Sequence, residues 1–208
     1  MKHFISPSLT FLALTLGLLL GHARAQSNDA AKTQSAGGAQ TATGPRASDV
    51  ASIDSIIAAL YDVISGPAGQ KRDWERMRSL FVPNARLMPT SPVRPTGTAP
   101  DAPLKGDESY ATQVLDVDGY VKRAGPYLEE HGFFESETAR RTETYGHIAH
   151  VWSTYDSRHK ADDPLAFARG INSIQLMNDG KRWWVVSVFW EAETPRTPLP
   201  KKYLKSDR

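Results

Sequence analysis

The 208-residue chain contains no cysteine, which excludes a disulfide scaffold and a lipid-bearing cysteine anchor. It also lacks an excess of either charge, with 25 Lys and Arg against 23 Asp and Glu. A phosphate-tracking surface needs a concentrated basic patch. Here the basic residues are dispersed, apart from Lys201, Lys202 and Lys205 in the tail, so no nucleic-acid partner is expected. No apolar run reaches the roughly 20 residues that span a bilayer. The run at residues 11–20 follows Lys2 and precedes Ala23-Arg24-Ala25, a small-x-small cleavage pattern. That order predicts a secretory signal over residues 1–25 rather than a membrane span, with cleavage near Ala25 and a periplasmic or secreted destination. Removing Lys2 and Arg24 lowers the formal charge from +2 to zero. There is no Ser-His-Asp elbow, phosphate-cradling glycine loop or dinucleotide fingerprint, and no cofactor is expected. His147 and His150 form a close pair, but residues three apart on a strand face opposite ways, so no metal site is expected either.

What is present divides into segments. Residues 26–46 are Ala, Gly, Ser, Thr and Gln with almost no large apolar side chain, so they read as a disordered linker. Residues 47–193 have the size of one domain, and 194–208 form a Pro- and Lys-rich tail. Ser48 or Asp49 is expected to cap a helix carrying Ile53, Ile56, Ile57, Leu60 and Ile64 at helical spacing. Asp73 caps a second helix, which Pro83-Asn84 closes, and a short strand over 85–88 follows. Five prolines between 89 and 105 mark an irregular loop, a candidate lid or rim. A short strand over 112–115 precedes a third helix capped by Asp116, which Gly125-Pro126 breaks or kinks. Two strand pairs close the domain. Helices segregated from antiparallel strands predict an α+β fold.

The last pair fixes a register. With Asp179-Gly180 as a two-residue turn, Leu176 pairs with Trp183, Ile174 with Val185, Asn172 with Ser187 and Gly170 with Phe189. Both faces are then apolar, which suggests a cavity on one and a partner surface on the other.

Arg72-Asp73-Trp74, then Leu80-Phe81-x-Pro83-Asn84-Ala85-Arg86-Leu87, Gly146-x-Ile148-Ala149-His150-Val151, Arg182-Trp183 and Trp190 together form a pattern. It resembles the nuclear transport factor 2-like superfamily, and within it exported bacterial SnoaL-like members. The resemblance implies a cone: a strongly curved antiparallel sheet wrapped around about three helices. It also implies a homodimer through the outer sheet face, here Trp184, Val186, Val188 and Trp190, the alternative cover for those four residues being the chain's own Pro-rich tail. The superfamily hosts isomerases, dehydratases, cyclases, carriers and scaffolds, so the fold leaves activity undecided.

Candidate pocket residues are Asn172, Ser187, Phe189 and Glu191 on the hairpin, Ser153 and Tyr155 on the preceding strand, and Tyr61 on the first helix. Such a set suits a small apolar or amphipathic molecule held by a few hydrogen bonds. Catalytic residues are not identified. Ketosteroid isomerases carry a general-base Asp just after the segment matching Ala85-Arg86-Leu87, where this chain has Met88-Pro89, and neither residue accepts a proton. Glu135, Glu137 and Glu143 alternate with Arg141 and read as a solvated ladder on the wet face of a strand. Arg169 opposite Trp190 reads as an outer-face cation–π contact. Three functions stand open: an exported small-molecule-binding protein, a cofactor-independent acid–base lyase, isomerase or cyclase, and a scaffold with a filled pocket.

Overall fold

The apolar stripe of the first helix forms α1 (Ile53–Ile64), whose cap is Ser52 rather than Ser48 or Asp49. Ser52 and Ser55 complete a capping box, while both oxygens of Asp49 are taken by the Arg76 guanidinium at 2.7 and 3.1 Å. The computed structural model describes residues 45–98, 103 and 106–205, so the signal segment and nearly all of the linker lie outside the described residues. After α1 come α2 (Trp74–Leu80), β1 (Phe81–Pro92), β2 (Tyr110–Thr112), α3 (Val117–His131), β3 (Phe134–Tyr145), β4 (Ile148–Arg158), β5 (Ala168–Asn178) and β6 (Trp183–Ala192).

Asp73 and Asp116 cap α2 and α3 as the sequence suggests. Pro83-Asn84 does not end α2 but lies within β1, where Asn84 takes a positive φ of 62° at an irregularity in the ladder. Leu115, expected in the second short strand, instead forms an isolated bridge to Leu87. The third helix continues through Pro126 to His131. Gly125 lets it approach Trp74, since a Cβ there would sit 3.2 Å from the indole.

The six strands form one curved, open sheet in the order β2-β1-β6-β5-β4-β3. The class is α+β, but the sheet is mixed. β1 runs parallel to β6, and the other pairings are antiparallel. The helices cover one face: α1 lies against β3 and β6, and α3 against β1. Ile56, Ile57, Leu60, Met77 and Leu80 meet Val151, Ile174, Leu176 and Val185 in the core.

The hairpin register departs from expectation twice. The loop is four residues long, so Asn178 pairs with Trp183 and Leu176 with Val185. The Asp179 carboxylate organises it, accepting from the Lys181 and Arg182 amides at 2.8 Å and from the Trp184 indole at 2.8 Å. Val186 is then an extra residue, a β-bulge that places Ser187 opposite Gln175 and Val188 opposite Ile174. One extra residue exchanges the faces beyond it. Val188 therefore sits in the core and Trp190 packs against it, so neither belongs to the outer face expected for a dimer. Trp184 and Val186 stay on the outer side, Trp184 under the Arg182 guanidinium at 3.6 Å.

A second bulge, at Thr138, lies between the pairs Glu137–Tyr155 and Ala139–Thr154. It breaks the expected ladder. Glu135, Glu137 and Arg140 share the inner face with Ser157, Tyr155 and Ser153, while Arg141 and Glu143 share the outer face with Trp152 and His150. Arg169 pairs with Glu193 at 2.8 Å instead of Trp190.

Candidate functional site

Four of the seven candidate pocket residues come together on the inner side, and three do not. Tyr61, Ser153, Tyr155 and Asn172 are all buried there. Ser187, Phe189 and Glu191 alternate with Val188 and Trp190 and so fall on the outer side, a direct result of the Val186 bulge. Tyr155 fits only because position 170 is glycine: a Cβ there would meet its hydroxyl at 2.5 Å and the Glu191 carbonyl at 2.4 Å.

Three of the four join one hydrogen-bonded chain. Asn172 Nδ2 donates to the Tyr61 hydroxyl at 3.1 Å, and Tyr61 meets Ser153 Oγ at 2.7 Å. Ser153 in turn donates to Glu137. Because the Ser153 proton is committed to a carboxylate, Tyr61 must be the donor to Ser153. Its one proton is therefore used inside the protein. The chain ends where Arg140 grips both oxygens of Glu137 at 2.9 Å and reaches Asp54.

Beside this chain lies Glu135. Its backbone amide donates to Ser65 Oγ at 3.0 Å, which ties the start of β3 to the end of α1. One carboxyl oxygen accepts from Ser157 at 2.9 Å, and the other lies 3.5 Å from Asn172 Nδ2. No cation pairs with it among the described residues. Burial disfavours its charged form and pushes its carboxyl up to about 7, against the opposing pull of the Ser157 and Asn172 hydrogen bonds. Burial, and then the Glu135 charge, also raise the phenols of Tyr61, Tyr120 and Tyr155.

A cleft of about 460 Å³ opens between α1 and the start of β3, lined by Ile57, Ala58, Tyr61, Phe134, Glu135 and Ala161, with Asp62, Glu137, Arg140 and Arg158 also in its wall. Of the seven candidates only Tyr61 reaches it; Ser153 and Asn172 stand behind Tyr61 as its partners. Glu135 is the residue that strand alternation hid. A signal was present: regular alternation places Ala139 among the charges of one face, and an apolar residue in a wet ladder marks a break in period. No cluster of ligating side chains that could hold a metal occurs among the described residues.

Helices on one face of an open sheet, with the cleft between the first helix and the edge strand, match the architecture that the motif resemblance implies. The curved, open sheet with its helices on one face is consistent with a cone-like fold. No protein-family model matches the chain, and no curated protein matches it. Among solved structures it is similar to a protein of unknown function with a cystatin-like fold from Nostoc punctiforme, with 12% identity over 71% of this chain and 92% of that chain and a TM-score of 0.48. An NTF2-like protein of unknown function from Shewanella baltica shares 16% identity over 68% of this chain and 91% of that chain, with a TM-score of 0.38. One from Methylobacillus flagellatus shares 12% identity over 69% of this chain and 95% of that chain, with a TM-score of 0.36. Likeness at this level says nothing about activity.

Proposed function

We propose that this nuclear transport factor 2-like chain is an exported protein that binds a small, largely apolar or amphipathic molecule in the cleft between α1 and β3. The observation that carries the reading is the composition of that cleft: Ile57, Ala58, Phe134 and Ala161 offer apolar wall, and Glu135 supplies a polar anchor. Its volume, about 460 Å³, lies in the range of small-molecule sites. Export rests on the sequence pattern around Lys2, residues 11–20 and Ala23-Arg24-Ala25. Native mass spectrometry of the protein purified from its own periplasm tests the binding. A reproducible extra mass is expected in the wild type and should be lost in Ala58→Trp, which fills the cleft. An extra mass retained in that variant would place the ligand elsewhere.

One observation favours a second reading, acid–base catalysis. A carboxyl poised near 7 without a cationic partner suits a general base. In this reading Glu135 removes a proton from carbon. Tyr61 holds Asn172 and Ser153 in place rather than acting as the acid, since its own proton is committed. If so, a retained ligand should incorporate deuterium from D2O on the wild type and none on Glu135→Gln. Equal incorporation on both proteins would rule Glu135 out as the base.

We also propose a homodimer through the outer face of β6, where Val186 and Phe189 are exposed beside Trp184. Sedimentation equilibrium should show a dimer for the wild type and a monomer for Phe189→Glu. A monomeric wild type would refute it.

A further inference from the structure

We propose that the ligand of the α1–β3 cleft is a small organic cation, an amine on a compact apolar body, with the Glu135 carboxylate as its counter-ion. This rests on the small-molecule reading of the same cleft and gives its ligand a charge.

The charge balance of the wall carries the argument. Its charged groups are the carboxyls of Asp62, Glu135 and Glu137 and the guanidiniums of Arg140 and Arg158. Both guanidiniums are already committed. Arg140 holds Glu137 through two nitrogens, at 2.9 and 2.6 Å, and also reaches Asp54. Arg158 donates to Asp156 at 3.1 Å and to the Asp163 carbonyl at 3.1 Å. Asp62 is paired with Arg76. Glu135 alone among the wall carboxyls has no cation, and it is held by the neutral donors Ser157 and Asn172.

That asymmetry decides between ligand charges. An entering anion meets no guanidinium that is not already neutralised, and it faces Glu135. A neutral ligand excludes water from Glu135 and forces it either to stay an uncompensated carboxylate or to take up a proton, a cost that grows with pH above the carboxyl's value near 7. A cation supplies the missing partner. The groups around Glu135 from the packed elements are Tyr61 and Asp62 on α1, Tyr120 on α3, Tyr155, Ser157 and Arg158 on β4 and Asn172 on β5, with Glu137 and Arg140 on its own strand. Arg158 is the cation among those on other elements, and it is already held by Asp156, while the phenols stay protonated through neutral pH.

The test uses three probes of one shape, benzylamine, benzyl alcohol and benzoate, titrated into the purified protein by calorimetry at pH 8 and 5.5. Benzylamine should bind at least tenfold more tightly than either of the others at pH 8. Its affinity should then fall about thirty-fold at pH 5.5, because Glu135 with a carboxyl near 7 takes a proton that the ammonium must displace. Glu135→Gln should bring benzylamine and benzyl alcohol to equal affinity. The pH dependence of the wild type provides the same reading without any variant. Benzyl alcohol or benzoate binding as tightly as the amine, or an amine preference unchanged with pH, would overturn the cation assignment while leaving small-molecule binding intact. Failure of all three to bind would overturn both.

Discussion

Glu135 makes a pH dependence of stability as well as of binding. Its carboxyl lies near 7 in the folded protein against 4.5 as the reference value, so the native state holds its proton over a range in which the unfolded chain has released it. The sign follows. The contribution of this group is fully present below about 4.5 and is lost as pH rises through about 7, where the folded protein must carry a desolvated carboxylate. Glu135→Gln removes the titration and keeps most of the hydrogen bonding. It should therefore match the wild type near pH 4.5 and exceed it at pH 8, by on the order of 2 kcal/mol after allowance for the group's partial exposure. Urea denaturation midpoints of both proteins across that range check this. Parallel pH profiles would show that Glu135 titrates as it does in the unfolded chain. Residues such as Tyr61 and Asn172 were legible as candidates because polar groups on an apolar stripe draw attention. Glu135 was not, because its role depends on a bulge at Thr138 whose extra residue has no motif of its own.

The motif that suggested the family has a physical basis in how elements join. Arg72 is buried, and its guanidinium donates to the carbonyls of Ile64, Gly66, Pro67, Gln70 and Leu128, gathering the orphan ends of α1 and α3 onto one side chain. Asp73 caps α2, and the Trp74 indole donates to Glu129 on α3 at 3.0 Å. Arg-Asp-Trp is thus a joint between three helices, not a site. Arg72→Ala strands those carbonyls and should cost about 3 kcal/mol in urea denaturation, and Arg72→Lys, with three donors in place of the planar fork, should recover only part. Equal midpoints for all three proteins would refute the joint. Helix caps were readable at Asp73 and Asp116, where the side chain answers only to its own helix. The cap of α1 was misread because the neighbouring Asp49 serves Arg76, a partner 27 residues away that local pattern does not reveal. The parallel pairing of β1 with β6 was hidden for the same reason, since no hairpin connects them.

At the scale of the whole molecule, the segregation of helices from strands was legible in element order, whereas the fate of the outer sheet face was not. The C-terminal segment crosses that face. Tyr203 stacks on Trp152 with ring centroids 5.5 Å apart, its carbonyl accepts from Thr154 Oγ1 at 2.6 Å, and Arg141 donates to the Lys202 carbonyl at 3.4 Å. Thr154 and Ala139 are each only 2% exposed although both lie on the side of the sheet away from the helices. Such burial requires a cover, and the cover is the tail. An aromatic stack and a hydrogen bond together suggest about 1–2 kcal/mol. Ending the chain at Glu193 should therefore lower the urea midpoint by that amount, and Tyr203→Ala alone should account for most of the loss. Because Trp190 and Val188 lie inside and owe nothing to the tail, the truncated chain should still unfold in one cooperative step. A midpoint unmoved by truncation would mean that the tail only rests on the sheet; a loss of cooperativity would mean that residues beyond 193 belong to the domain itself.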